Sequence, residues 1–459
     1  MFPTETVDNV ETLLFAVVVL GILLLAGTLI RIVARPIRRL FLPAALIGGA
    51  VGLAFGPYGA GLFPESLIET WSGLPGVLAT IVFAPMLMGV RIPKVRETYR
   101  MIVPQLLFGY MGAFLMIGVP LVVSALVLMP LWDVDRMFGT LVDVGWPGGH
   151  GTAGAMAEVY QEHGWSAGVS LGLTSATVGL VFGITVGMAL VNWGVSRGHV
   201  TAFGPASETA DDRSSDILPE SRRTPIGRTA FNKDLVDSLT FHVTLVAVAV
   251  LIGWVLQYFI ELVVPGMPLF PLAMIGGGIV QAVIGRTPLR GTVDAASLRT
   301  IQAVALDLLI VSAVASIHLP LVIDNAGALA VLMVLAAGLA IGFFFLAGPR
   351  LFQQNWFEQA IVNFGSLTGV SSVGLMLLRT VDPDLSTITG KAYALSKPFR
   401  SPFIGGGLIT ALVPILAFTR GPLLTGAIFI ALFLILLLAA RLLGFWRKPA
   451  KAARVASSV

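Results

Sequence analysis

The chain has 459 residues, of which 56% are hydrophobic and 12% charged, with a net charge of +4 and no cysteine. A mean hydropathy of +0.90 excludes a soluble globular domain, and the composition reads as an all-α polytopic membrane protein. The basic residues sit in short loops between apolar runs, so they report membrane orientation and not a nucleic-acid partner; the missing thiols exclude disulfides and thiolate metal sites.

The N-terminus carries Glu5, Asp8 and Glu11 where a leader would be basic. Its apolar run ends at Arg31, Arg35, Arg38 and Arg39 with no small-residue cleavage pattern, so a retained first helix is expected. Apolar runs long enough to span, or nearly so when tilted, fall at about 11–32, 41–60, 73–90, 102–130 and 167–194. Between the last two lies Gly145-Trp146-Pro147-Gly148-Gly149-His150-Gly151-Thr152. Proline removes a backbone donor and glycine permits angles that other residues avoid, so a continuous helix is not expected there. Broken backbone at bilayer depth is tolerated only where protein or water satisfies its polar groups. The stretch at about 138–162 therefore reads as a re-entrant hairpin, the alternative being a glycine kink in an ordinary packing helix. Phe138 to Val144 descends, the glycines form the tip, and Thr152 to Tyr160 climbs out as a helix capped by Thr152. Its free amides and positive dipole end would point at the membrane midplane, as in secondary transporters that hold an anionic group.

A polar segment at 197–235, with Asp211-Asp212-Arg213-Ser214-Ser215, reads as a cytoplasmic linker between halves 1–196 and 236–418. Spanning runs resume at about 236–260, 267–284, 299–318, 324–347, 389–417 and 422–444. The interrupted stretch Asn363-Phe364-Gly365-Ser366-Leu367-Thr368-Gly369-Val370-Ser371-Ser372 predicts a second hairpin at about 355–381. Residues 419–459 add one span and a basic cytoplasmic tail.

The two halves look like copies. Leu42-Pro43-Ala44-Ala45-Leu46-Ile47-Gly48-Gly49 resembles Phe270-Pro271-Leu272-Ala273-Met274-Ile275-Gly276-Gly277, and Gly149 through Thr152 lines up with Gly365 through Thr368. Five spans plus a hairpin per copy is an odd number of crossings, so the second copy is expected upside down. Inverted repeats of this kind mark transporters. Loop charge points the same way: Arg91/Lys94/Arg96/Arg100, Arg286/Arg290/Arg299, Arg350 and the tail fall on one side, with Glu65/Glu69, Asp133/Asp135 and Glu162 on the other. The positive side is cytoplasmic, giving N-outside and C-inside in the cell inner (plasma) membrane. Trp71, Trp132 and Trp165 then fall near the outer boundary as belt residues, and Trp193, Trp356 and Trp446 near the inner one.

With the tip Gly148-Gly149-His150-Gly151-Thr152 inside two inverted halves, the chain resembles the sodium/glutamate symporter family, whose first hairpin carries a glycine-glycine-histidine-glycine-threonine tip. The likeness runs from about residue 11 to 417; Leu306-Asp307-Leu308-Leu309-Ile310-Val311-Ser312 matches a second family-like segment more loosely. The second tip departs, reading Gly365-Ser366-Leu367-Thr368-Gly369 where the family tends to a Gly-Ala-Thr-Pro-Thr type. The resemblance implies sodium-coupled symport of glutamate or a related acidic amino acid or carboxylate, with a fixed scaffold and a moving domain that carries the hairpins. It also implies a homodimer. A transporter-like channel, a membrane sensor for a small anion and a proton-coupled carboxylate carrier are the alternatives.

The tip amides around Gly148, Gly149 and Gly151, with Thr152, are candidates to bind a substrate carboxylate, as are Gly365, Ser366 and Thr368 in the second half. His150 is either a substrate ligand or a structural hydrogen bonder. Arg400 is the preferred cation for the anionic substrate among Arg379, Lys391, Lys397 and Arg400. Asp307, flanked by apolar residues in a predicted span, is expected at the sodium site, with Ser371, Ser372 and Thr174 as oxygen donors; a partner for a substrate ammonium and a structural pair with Lys391 or Arg400 are the alternatives. Asp143 and Glu158 flank the first tip on its two arms; either could join an ion site, but closeness to the outer boundary favours a solvated position. Enzyme chemistry is not supported: Asp143 and Asp307 lack a Gly-x-Gly-Asp context, and the five histidines show no His-x-x-x-His spacing. No cofactor is expected beyond sodium as coupling ion, and the partners are a small anion, sodium and the lipid bilayer.

Overall fold

The computed structural model describes residues 10–34, 42–89, 95–201, 237–263, 265–383 and 385–447. The expected linker from 202 to 235 lies outside the described residues, as do Arg35, Arg38, Arg39, Arg91, Lys94 and the tail from Lys448 onward. Among the described residues the elements are helical and no strand occurs.

The first half runs α1 (Val10–Val33), α2 (Ala44–Phe55), α3 (Glu65–Phe83) with a 3-10 turn at Ala84–Leu87, and α4 (Val95–Val123). It continues through the short α5 (Leu141–Gly145), α6 (Gly149–Ala155) and α7 (Ala157–Glu162) to the long α8 (Gly168–Ser196). The second half runs α9 (Ser238–Ile260), α10 (Leu269–Ile284), α11 (Ala295–Ala315), α12 (Leu319–Asp324), α13 (Ala326–Leu351), α14 (Trp356–Val381), α15 (Ile388–Arg400) and α16 (Leu408–Arg420). α17 (Pro422–Leu442) closes the described chain. Nine of the described helices are long and apolar enough to cross a membrane, which makes this a multi-pass membrane protein.

Three expected spans differ from the structure. The runs at 41–60 and 267–284 form helices of 12 and 16 residues, because each starts only after a proline, Pro43 or Pro268, and stops at Gly56 or Gly285. At 1.5 Å per residue they reach about 18 and 24 Å, short of a core of about 30 Å. The run at 389–417 is split into α15 and α16 by an unwound stretch, Ser401–Gly407, in which Gly405 and Gly406 have φ of +67° and +99°.

The helices pack in two groups. α1, α2, α3, α9, α10 and α11 pack on one another, and α4, α8, α13, α14, α15 and α17 form the other group together with α5 and α6. The groups meet chiefly where α6 lies on α3 and α11. Small residues let membrane helices approach closely, and the same device recurs in both halves. A Cβ at Gly48 would collide with the Leu23 carbonyl of α1, and one at Gly276 with the Ala249 carbonyl of α9. The residue after each faces the opposite half: Gly49 lies against Val314 of α11, and Gly277 against the Ala84 carbonyl just after α3. The outer faces of α1, α9 and α17 are apolar and exposed, for example at Phe15, Leu25, Phe259, Leu251, Leu434 and Leu438.

Trp71 does not sit in an outer belt. It is fully buried, donates from Nε1 to the Ala16 carbonyl at 3.1 Å, and packs edge-on against Phe63, so it ties α3 to α1. Trp165 is also buried, between Phe138 and Tyr160.

Just beyond α14, Asp382 is buried and accepts from the amides and hydroxyls of Ser386 (2.8 and 3.0 Å) and Thr387 (3.0 and 2.6 Å). Burial alone would raise its pKa, but these donors outweigh it and hold the carboxyl below the ordinary carboxylate range. A depressed folded pKa adds stability that is fully present above the unfolded value of about 4 and is lost as pH falls through the folded value. Asp382→Ala is therefore expected to destabilise the detergent-solubilised protein by about 1–3 kcal/mol at pH 7. The gap from wild type should narrow below about pH 4. An unchanged melting temperature at pH 7 would contradict this.

Candidate functional site

Two chain reversals organise the centre of the second group. In the first, α5 runs along α8 toward Trp146, and α6 and α7 run back. The Leu141 carbonyl accepts from Ser175 Oγ at 2.7 Å, Trp146 lies against Gly179, and Tyr160 returns to Gly168. The ends of the reversal meet again, with Thr140 Oγ1 and Tyr160 Oη 3.3 Å apart. The turn occupies Trp146–Gly148, and Gly149 has φ of +70°, a conformation that glycine adopts without a Cβ penalty.

The second reversal is hidden inside α14. Its hydrogen bonding spans 26 residues, yet Gly369 (φ −148°, ψ 40°) and Val370 (φ 61°, ψ 174°) are not helical. A Cβ at Gly365 would lie 2.7 Å from Gly374 Cα. Residues nine apart in a straight helix are separated by about 13.5 Å, so the two arms lie side by side, antiparallel. A β-branched residue at positive φ is a strained outlier of the kind that gathers at functional sites. Here the second tip contacts the first: Val370 Cγ1 fills the place a side chain at Gly149 would need.

The unwound Ser401–Gly407 stretch completes the arrangement. A Cβ at Gly405 would lie 3.3 Å from the Pro147 carbonyl, and one at Gly406 would lie 2.5 Å from Thr152 Oγ1. Between this stretch and the second reversal lies a cavity of about 120 Å³, lined by Pro147, Asn363, Ser366, Ser371, Lys397, Arg400 and Gly405 among others. A larger cavity of about 700 Å³, at Arg100, Gln353 and Arg447 near the ends of α4, α13 and α17, includes no tip residue.

Arg400 dominates the small cavity. It is 8% exposed, donates from Nη1 to Asn363 Oδ1 at 2.5 Å, and lies 5.2 Å from the Tyr393 ring centre. Gly109 makes room for it, since a Cβ there would sit 2.6 Å from Arg400 Cδ. No carboxylate among the described residues pairs with it. Asn363 is held by Gln105 Oε1 at 2.7 Å and the Gln359 carbonyl at 2.8 Å, and Gln105 donates to Gln359 Oε1 at 2.9 Å. Tyr393 Oη bonds Ser366 Oγ at 2.7 Å, and Lys397 Nζ lies 5.5 Å from its ring. The guanidinium is thus oriented by a neutral network with its charge unbalanced, which suits an incoming anion.

The other sequence candidates divide. Ser366, Ser371 and Arg400 line the cavity, and Gly149 forms the tip contact. Thr152 is no cap: it lies within α6, whose first residue is Gly149, and its Oγ1 donates back to the Gly148 carbonyl at 2.9 Å. The Gly148 amide is spent on the Asp143 carbonyl at 3.1 Å, and Gly151 packs on Leu306 of α11. His150 bonds Thr177 Oγ1 through Nε2 at 3.0 Å, which anchors the tip to α8. The second turn falls at Gly369–Val370, beyond Gly365 and Thr368: Gly365 is used to pack the two arms, and Thr368 Oγ1 bonds the Phe364 carbonyl beside Gly183. Asp307 is exposed on α11 and forms no hydrogen bond among the described residues. Thr174 bonds the Ser170 carbonyl within α8, and Ser372 is exposed, so these two and Asp307 are not gathered with Ser371 around the cavity. Asp143 is not solvated; it is fully buried between α5 and its neighbours. Sequence reasoning missed Asn363, Gln105 and Tyr393 as partners of Arg400, and it missed the unwound stretch, which Ser401-Pro402-Phe403-Ile404-Gly405-Gly406-Gly407 signals by its proline and three glycines.

No curated protein matches the sequence. Residues 6–366 match the family model of the sodium/glutamate symporters, transporters that use sodium as coupling ion, while Arg400 and the unwound stretch lie beyond the matched region. The chain therefore belongs to the sodium/glutamate symporter family and is a membrane transporter, not an enzyme.

Proposed function

We propose that the protein carries out sodium-coupled symport of glutamate or a related acidic amino acid or carboxylate by alternating access. The observation that carries this reading is Arg400, a buried guanidinium with no carboxylate partner among the described residues, in a small cavity beside two chain reversals. Ser366 and Ser371 would share the anion with it, and the tip backbone at Gly149 would close over it. On this reading both reversals are re-entrant hairpins, and residues 1–196 and 236–418 are inverted copies. The matched contacts at Gly48 and Gly276, and at Gly49 and Gly277, support the repeat. The group built on α4, α8, α13 and α14 would be the moving, elevator-like part, with the α1, α2, α3, α9, α10 and α11 group as scaffold. The exposed apolar faces of α1 and α9 would serve a homodimer or lipid contact, with the N-terminus outside the inner membrane and the C-terminus cytoplasmic.

Uptake of labelled glutamate and aspartate into proteoliposomes tests the reading. Accumulation above the external concentration is expected only under an inward sodium gradient. Accumulation driven by a proton gradient alone would replace sodium with protons, and downhill flux indifferent to both gradients would mark a channel.

A further inference from the structure

One buried group is left unused by the anion cavity. Asp143, on α5 of the first hairpin, is fully buried, and neither carboxylate oxygen has a hydrogen-bond partner. A carboxylate sealed from water costs several kcal/mol unless something neutralises it. Among the described residues no lysine, arginine or histidine does so. What faces it is the Thr410 hydroxyl in the first turn of α16. That hydroxyl in turn accepts from the Gly406 amide at 3.3 Å, which ties the spot to the unwound stretch. The backbone bonds there run from Leu408 to Pro402 and from Ile409 to Phe403, skipping the carbonyls of Ile404, Gly405 and Gly406.

One carboxylate, one hydroxyl and main-chain carbonyls make an all-oxygen donor set of low charge. Among the described residues no group of three histidine, aspartate or glutamate side chains could hold a transition metal, so the set suits a single hard monovalent cation. We infer that Asp143 and Thr410, with carbonyls of the Ser401–Gly407 stretch, form the sodium site. This rests on the sodium-coupled reading above. Arg400 directly precedes the unwound stretch, Thr410 follows it in the first turn of α16, and Gly405 lies beside Pro147 of the first tip. An ion held at Asp143 fixes the stretch that directly follows Arg400, so sodium and the anion strengthen each other's binding by the same factor.

The test is the melting temperature of the purified full-length protein in sodium chloride, against choline chloride at equal ionic strength, with and without glutamate. Wild type should show a saturating, sodium-specific rise. Asp143→Asn, neutral and nearly isosteric, should weaken the sodium midpoint by at least about ten-fold while melting as wild type does in choline. Thr410→Val should weaken it several-fold and stands in for Asp143→Asn should that variant not fold, and Asp307→Asn should keep the wild-type midpoint. No sodium-specific rise in wild type would overturn sodium coupling itself. A wild-type rise with unchanged midpoints in Asp143→Asn and Thr410→Val would overturn this site alone. Loss of only the glutamate-dependent rise in Asp143→Asn would overturn it too, by assigning the carboxylate to the substrate ammonium.

Discussion

Arg400→Gln is expected to reduce uptake of an acidic substrate by about 100-fold or more while leaving the protein folded in the membrane. Hydrogen bonds to a charged partner contribute about 1.5–3 kcal/mol each, and a guanidinium offers two in parallel to a carboxylate. Losing about 2.7 kcal/mol already gives a factor of 100. The fold should not suffer in proportion, because Arg400 has no carboxylate partner among the described residues and its charge is a cost in the empty state. Glutamine can still bond Asn363. Arg400→Lys keeps the charge but not the planar fork, and the Asn363 and Tyr393 contacts are built for that fork, so an intermediate loss of about ten-fold is expected. Uptake per correctly inserted protein is the measurement. A glutamine variant within two-fold of wild type would remove Arg400 from the substrate site.

Long helices were readable from the sequence because an apolar run bounded by polar or capping residues leaves few choices. The run at 11–32 became Val10–Val33, and that at 167–194 became Gly168–Ser196. The break in the first hairpin was equally local, written in Pro147 and the glycines around it. The second was not. Its segment was located, yet the turn falls on Val370, a residue that disfavours φ of 61° and is held there by packing on Gly149, 221 positions away. No local pattern announces that. The stretch at 401–407 carries its own signal, but an apolar window over 389–417 averages it away. Arg400 could be singled out by charge, whereas its orienting network could not: Asn363 is bonded to Gln105 across 258 positions. The burial of Asp143 is illegible in the sequence for a related reason. Sequence places it near the outer end of an arm, and only the packing around α5 reveals that the arm is sealed.

The interface between the two helix groups suits sliding. α6 meets α3 and α11 through small or apolar side chains, with Gly154 against Pro75, Leu309 and Ala313, and Gly151 against Leu306. No hydrogen bond among those described joins these residues; the His318 amide just after α11 donates to Ser170 Oγ of α8 at 3.0 Å, and that bond would have to break for one group to move along the other. A Cβ at Gly154 would lie 3.7 Å from Ala313 Cβ, inside the range of about 3.5–4.5 Å that a disulfide requires, and 2.9 Å from Pro75 Cβ, which must shift to admit it, so uptake by the reduced double variant is the reference. The chain has no native cysteine to confuse the result.

The most direct test of the account is therefore Gly154→Cys with Ala313→Cys, assayed for uptake before and after oxidation. Oxidised protein should fall to the background of empty vesicles and recover on reduction, with each single variant unaffected by either treatment. Fully crosslinked protein that transports at the reduced rate would show that the hairpin group does not move against the scaffold, and would contradict the mechanism at its root.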